Sequence, residues 1–299
     1  MGSFKAVVGM LGIESMFEGE VQGLIEAACM ADAAGIDSVV LTDHVIMADN
    51  TNAYPYGEFT FPAGTAWYEP MTLLSAMASA TTNIRLATGV LISPLRSAAL
   101  LAKISTTLDS ISRGRLDLAV GIGWQKEEYD ACGLSFENRI GQLEDQLRAM
   151  QLLWNESPAS FNSETVNFDR IYCKPFPVQT DGIPIWIGMA PSPRVLSLLA
   201  ECCVGWAPMP MSLEKLKPQI NLVREAFLKA GRDPETLKVR AQPQIVFDQN
   251  GSANLDRTLD NLQESLDIGI TDVQFLTGKF VSNRKELAEY FEKIVARQT

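Results

Sequence analysis

Histidine is all but missing from this chain: His44 is the only one in 299 residues. Imidazole-based metal chemistry needs several histidines converging with carboxylates, so a metallohydrolase is excluded and no metal is expected. Positive charge is scarce too. Lysine and arginine number 25 against 36 acidic residues, for a net charge of −11 and an isoelectric point near 4.7. Such a surface repels phosphodiester polymers and anionic lipid, so neither nucleic acid nor a membrane surface is an expected partner. A local basic pocket for a small anion stays compatible with it. No apolar run approaches the roughly 18 residues of a membrane span. Met1–Ala6 lacks the apolar core of a secretory signal, and Val7 stands where a myristoylated Gly2 would favour Ser or Thr. The five cysteines, Cys29, Cys132, Cys173, Cys202 and Cys203, form no C-x-x-C pair and no zinc spacing. They read as reduced thiols of a cytoplasmic protein, with Cys202 and Cys203 as buried helix residues.

What is present is ordinary globular composition, 46% hydrophobic and 20% charged, with mean hydropathy +0.04. Short apolar runs alternate with stretches of helical period along the whole chain. Strands are expected at Phe4–Leu11, Ser38–Thr42, Ile84–Leu91, Leu116–Ile122, Ile185–Ile187, Gly205–Ala207, Val239–Phe247 and Asp272–Leu276. Several are continuous apolar runs, as for parallel strands covered on both faces. Helices are expected at Glu20–Ala34, Glu69–Thr81, Ala98–Ile111, Pro193–Cys203, Leu213–Ala230, Leu255–Leu266 and Lys285–Arg297. One more carries the stripe Ile140, Leu143, Leu147, Met150 and Trp154, spaced by three and four. Eight such rounds predict one α/β domain over residues 1–299, a (β/α)8 TIM barrel. A doubly wound sheet is the alternative. Its dinucleotide fingerprint is absent, because Gly9-Met10-Leu11-Gly12 does not match G-x-G-x-x-G.

Barrel chemistry sits at the C-terminal ends of the strands. His44 directly follows the second strand, where an imidazole can exchange a proton near neutral pH. Its neighbour Asp43 is suited to fixing the tautomer, binding a cofactor or capping the loop. A Schiff-base aldolase would need a lysine at a strand end, but Lys5 and Lys238 lie near strand starts. One histidine without metal or lysine implies that a bound organic cofactor supplies the reactivity. Two turns are candidates to hold it. Gly121-Ile122-Gly123-Trp124 leads on to Tyr129, and Gly188-Met189-Ala190-Pro191-Ser192 opens a helix whose free amides suit a phosphate. Two long connections stand out. Ile46–Tyr68, after strand two, carries Tyr54, Tyr56, Phe59, Phe61 and Trp67. Ser157–Pro184, before strand five, carries Phe161, Phe168, Tyr172 and Phe176. Each reads either as a functional lid or as an inserted hairpin.

The chain resembles the bacterial luciferase-like monooxygenase family, specifically its branch of F420-dependent (deazaflavin) oxidoreductases. The residues that carry the likeness are Leu86-Ala87-Thr88-Gly89-Val90-Leu91, Leu108-Asp109-Ser110-Ile111-Ser112-Arg113-Gly114-Arg115-Leu116 and Val120-Gly121-Ile122-Gly123-Trp124. It resumes at Pro184-Ile185-Trp186-Ile187-Gly188 and Val204-Gly205-Trp206-Ala207-Pro208. The resemblance implies that Asp43 and His44 lie beside a tricyclic ring. It implies that Thr88, Gly89 and Val90 form a bulge, often with a cis peptide, against the ring's back face. Gly123, Trp124 and Tyr129, with Gly188, Met189, Ala190 and Ser192, would hold the phosphate-bearing tail. The family's fifth turn usually reads Gly-Gly and a small polar residue. Here Met189 adds bulk and Pro191 removes an amide. The implied function is hydride transfer between coenzyme F420 and a small organic substrate, with His44 as proton donor or acceptor. The alternatives are an FMN-dependent monooxygenase served by a separate flavin reductase, and a barrel that binds flavin or deazaflavin without turnover. Family likeness also implies a homodimer.

Overall fold

The computed structural model describes residues 3–59 and 61–298, so the expectation concerning Gly2 lies outside the described residues. The apolar runs become eight parallel strands: β1 (Lys5–Gly9), β2 (Ser38–Leu41), β3 (Arg85–Thr88, resuming as Leu91–Ile92), β4 (Leu116–Gly121), β5 (Ile185–Ile187), β6 (Gly205–Trp206), β7 (Lys238–Ala241) and β8 (Asp272–Leu276). β1 lies between β2 and β8, and the order runs on through β7, β6, β5 and β4. Leu86 of β3 pairs with Leu116 of β4, which closes the cylinder. Every residue of β2 and β4 is buried, as expected when helices cover the outside and side chains fill the inside. The fold is the expected (β/α)8 barrel.

The helices follow their caps. α1 (Val21–Ala34) ends at Gly35, whose φ of 91° a side chain would resist. α2 (Pro70–Ala80) starts with Pro70 while the Glu69 carboxylate accepts from the Thr72 amide. α3 (Ala98–Ser112) is capped by Ser97 and stops before Gly114. α4 (Arg139–Asn155) buries Leu143, Leu147, Met150 and Trp154, while Ile140 is half-buried. α5 (Pro193–Cys202) is capped by the Ser192 hydroxyl, and α6 (Leu213–Lys229) follows. α7 (Leu255–Asp260) breaks at Asn261 and continues as Leu262–Asp267. α8 (Leu287–Val295) buries Leu287, Tyr290, Phe291 and Ile294. Among the described residues no helix is long and apolar enough to cross a membrane.

Two expectations change in detail, and one of two alternatives is decided. β7 ends at Ala241 rather than running to Phe247, because Pro243 offers no amide to a ladder. Phe247 instead bridges Ala253. The expected third strand is interrupted at Gly89-Val90, whose peptide is cis. The Ser157–Pro184 insertion is a hairpin of Ala159–Asn162 and Asn167–Ile171, with Phe161 and Phe168 stacked 5.9 Å apart. Its tail docks under the N-terminal rim. Asp109 accepts from the Val178 amide (2.7 Å) and Gln179 Nε2 (2.8 Å), and Gln179 in turn accepts from Arg85 (3.1 Å). All five cysteines are free, and Cys202 and Cys203 close α5 with sulfurs 3.7 Å apart.

Two stability tests follow from this packing. Gly205 lies against Trp186, and a Cβ there would come within 2.5 Å of Cε3 and 2.7 Å of the Lys238 carbonyl oxygen. Gly205→Ala is expected to lower the free energy of unfolding by about 1–3 kcal/mol, read from urea melts. Asp32, near the end of α1, accepts from the amides of Thr82 (2.7 Å), Asn83 (3.0 Å) and Ile84 (2.8 Å). Burial pushes its pKa up, but these hydrogen bonds together outweigh it and hold the carboxyl below its usual range. A lowered folded pKa stabilises the fold above the unfolded pKa of about 3.9, and that contribution disappears as pH falls through the folded pKa. Asp32→Asn is therefore expected to destabilise by roughly 1 kcal/mol at neutral pH, after allowance for solvent screening, and to converge on wild type in acid. Melts that stay parallel at all pH values would contradict this.

Candidate active site

The C-terminal ends of the strands surround a cavity of about 750 Å³. That lies within the usual range for small-molecule sites, about 300–1,000 Å³. Its throat is shaped by missing side chains. After the break in β3, Val90 turns its side chain into the barrel. A Cβ on Gly121 would stand 2.9 Å from Val90 Cγ2. One on Gly188 would overlap Val90 Cγ1 and approach the Ala207 carbonyl oxygen to 3.1 Å, and one on Gly89 would overlap Val40 Cγ1. Thr88, just before the break, is pinned to β4. Its hydroxyl donates to the Ala119 carbonyl (2.7 Å) and accepts from the Ala119 amide (2.9 Å).

His44 lines the wall of this cavity. Its Nδ1 lies 3.2 Å from Glu128 Oε2, and the other carboxylate oxygen accepts from the Val45 amide at 2.6 Å. Glu128 is fully buried on a short helix, Lys126–Ala131. A carboxylate accepts, so Nδ1 carries the proton of this pair and Nε2 remains for other partners. Three rings flank the imidazole: Trp67 at 4.8 Å, Trp124 at 6.2 Å and Phe59 at 6.3 Å between centroids. Tyr54 packs on Phe59 (5.2 Å) and Trp124 (5.3 Å), so the Ile46–Tyr68 connection forms an aromatic roof. Buried Gln125 ties that roof down. Its Oε1 accepts from the Ala48 amide (3.0 Å), and its Nε2 donates to the Ala48 and Asn50 carbonyls (3.2 and 3.1 Å).

Asp43 has a different task from its neighbour. Its carboxylate accepts from Arg96 (2.7 and 3.1 Å) and from the Ile92 amide (2.8 Å), which braces the end of β2 against the restart of β3. Burial pushes its pKa up, against the pull of Arg96. Arg96 also bonds Glu69 at 2.8 Å. The group that orients His44 is thus Glu128, and Asp43 borders the cavity as a brace.

The other proposed residues divide cleanly. Thr88, Gly89, Val90, Gly123, Trp124, Gly188, Met189, Ala190 and Ser192 all border the one cavity. Tyr129 does not. It is fully buried behind the strand-four turn, donates to the Ile122 carbonyl at 2.7 Å and is not free for a ligand anion, which corrects the sequence reading. Gly123 has φ of 64°, and Arg139 donates to its carbonyl at 2.8 Å while covering the Phe136 ring at 3.4 Å. The Met189 carbonyl accepts from Trp206 Nε1 at 2.8 Å, and Ser192 caps α5. Sequence reasoning missed Glu128, Arg139 and Arg240. The inward-facing arginine of Lys238-Val239-Arg240-Ala241 was detectable by strand alternation alone. Nothing local marked Glu128 above its neighbour Glu127. Among the described residues no cluster of histidine, cysteine and carboxylate is arranged to hold a metal ion. A second hollow of about 860 Å³, beside Met16, Met30 and the Arg284–Glu26 ion pair, has no histidine or glycine turn in its wall.

With that geometry in hand, known proteins offer a comparison. An uncharacterized protein of Mycobacterium tuberculosis is 29% identical over 91% of this chain and 92% of its own length. Among solved structures, monooxygenase RslO1 from Streptomyces bottropensis superposes with a TM-score of 0.80 at 18% identity, covering 98% of each chain. The coenzyme F420-dependent tetrahydromethanopterin reductase from Methanopyrus kandleri superposes at 0.74 and 15% identity, covering 100% of each. The profile of the family described as luciferase-like monooxygenase matches residues 10–294, nearly the whole barrel with its cavity. The chain belongs to the luciferase-like monooxygenase family.

Proposed function

We propose that this protein is an F420-dependent oxidoreductase that moves a hydride between the deazaflavin and a small carbonyl or alcohol substrate. The observation that carries the reading is the single cavity that joins the sole imidazole, the Val90 throat and both glycine turns. The residues suit a flat heterocycle of three fused rings. The volume is adequate, Gly89, Gly121 and Gly188 make room for the Val40 and Val90 side chains that shape the throat, and Nε and Nη1 of Arg240, which borders the cavity, have no partner among the described residues. Val90, Gly89 and Thr88 would support one ring face. Gly123 and Trp124, with Gly188, Met189, Ala190 and Ser192, would receive the phosphate tail, and the half-buried Arg139 adds a cation at that rim. When bound, the reduced deazaflavin supplies hydride and does not activate oxygen.

The chain's own groups then perform the rest. His44 Nε2 gives a proton to the substrate oxygen as carbon receives hydride, or takes it in the reverse direction. Glu128 holds the imidazole in one tautomer and steadies its positive form. The aromatic roof excludes water and favours an uncharged or aromatic substrate. A second reading, an FMN-dependent monooxygenase supplied by a flavin reductase, accords with the family's description as luciferase-like monooxygenase.

Titration of the purified protein with F420 and with FMN, followed by fluorescence quenching, separates these readings. Saturable F420 binding with turnover of small ketones or alcohols is expected. Oxygen uptake with reduced FMN would shift the assignment to the monooxygenase, and binding of neither would overturn an enzymatic role for the cavity. His44→Ala is expected to lower kcat about 10²- to 10⁴-fold while cofactor affinity stays close to wild type. Unchanged turnover would remove its catalytic role. Glu128→Gln is expected to lower kcat on the order of tenfold with a smaller change in KM, because it acts on the imidazole and not on substrate binding.

A further inference from the structure

We infer that Arg240 is a second functional cation of the cavity: it receives the carbonyl-bearing edge of the bound ring and favours the reduced cofactor over the oxidised one. The inference rests on the cofactor reading above but concerns a residue that reading left without a task. Arg240 lies on β7, facing inward, and is 2% exposed. It nevertheless borders the cavity, together with Gln242 and Gln274. Its Nε and Nη1 have no hydrogen-bond partner among the described residues. The one ion pair it makes, Nη2 to Asp117 Oδ2, spans 3.7 Å, beyond a normal hydrogen bond. Asp117 is already taken by Arg85, which donates to both its oxygens at 2.8 and 2.9 Å.

The guanidinium is also held in place. Its carbon sits 4.3 Å from the Trp186 ring centroid, and that ring is wedged against Gly205. Asp272, the next carboxylate, accepts from the Thr271 hydroxyl at 2.7 Å, and burial pushes its pKa up against the pull of Arg240. A buried guanidinium with idle donors is costly unless a ligand pairs them. What it asks for is an acceptor, planar and preferably anionic.

Flavin and deazaflavin share such an edge, a pyrimidinedione with two carbonyl oxygens. Hydride addition to the neutral ring brings two electrons and one proton, so the product carries one negative charge, delocalised over that edge. A fixed cation there stabilises the reduced state more than the oxidised state. The aromatic roof has no comparable charge. Arg139, the other arginine lining the cavity, stacks on Phe136 and donates to the Gly123 carbonyl at the strand-four turn.

The test uses wild type, Arg240→Lys and Arg240→Met, titrated anaerobically with oxidised and reduced F420 and FMN. Wild type is expected to bind the reduced form at least tenfold more tightly than the oxidised form. Arg240→Met should abolish that preference, mostly by weakening the reduced complex, and Arg240→Lys should keep part of it. Because removal of a buried cation leaves Asp117 and Asp272 less compensated, thermal melts accompany each variant. Should Arg240→Met fail to fold, the wild-type complex decides. Reduced FMN bound to it should show the anionic absorbance spectrum at neutral pH, and a neutral-form spectrum would overturn the inference. Cofactor binding with the same reduced-to-oxidised ratio in wild type and Arg240→Met would overturn the role of Arg240 and leave the proposed function standing. Binding of neither cofactor to wild type would overturn both.

Discussion

One packing constraint underlies the site. A parallel barrel of eight strands normally fills its interior with side chains, so an opening at the mouth has to be made by omitting them. Here Gly121 and Gly188 omit them around one residue, Val90, whose methyl groups occupy the vacated space, and Gly89 leaves room in the same way for Val40. The break in β3 that turns Val90 inward is held from both sides: Thr88 is bonded to Ala119 before it, and Asp43 holds the Ile92 amide after it. If these supports were lost, the cavity would lose its base and His44 would lose the space it faces.

Charge is arranged around that opening in two tiers. At the rim, Glu128 and Gln125 come from one short segment after β4 and reach across to the loop after β2. One orients His44 and the other ties the Ala48–Asn50 backbone beneath the aromatic roof. At the floor, half-buried Arg85 and buried Asp117, Arg240 and Asp272 form a set in which Arg85 takes most of the hydrogen bonding and Arg240 takes little. A low-dielectric setting strengthens whichever pairs are completed and penalises those left open.

How much of this was readable beforehand differs by level. Strand and helix order was legible because it depends on local periodicity and on caps such as Gly35, Ser97 and Ser192. The ends of elements were less so. Pro243 shortened β7 and Asn261 divided α7, each through a local backbone effect that a run of apolar residues conceals. In the site, the position of His44 at a strand end was evident from spacing alone. The assignment of Tyr129 to the ligand tail failed because side-chain direction on a short helix turns on what packs behind it, here the Ile122 carbonyl.

By itself the sequence determined the class of fold, the place of the lone histidine and the family to which the chain belongs. These depend on composition and on patterns a few residues long. Tertiary structure alone decided that Glu128 rather than adjacent Asp43 orients His44, that Asp43 answers to Arg96, and that Arg240 borders the cavity with Nε and Nη1 unpaired among the described residues. The first two relations join residues 84 and 53 positions apart. Closure of the barrel brings them within a few ångströms, and no local pattern records which side chain will face which.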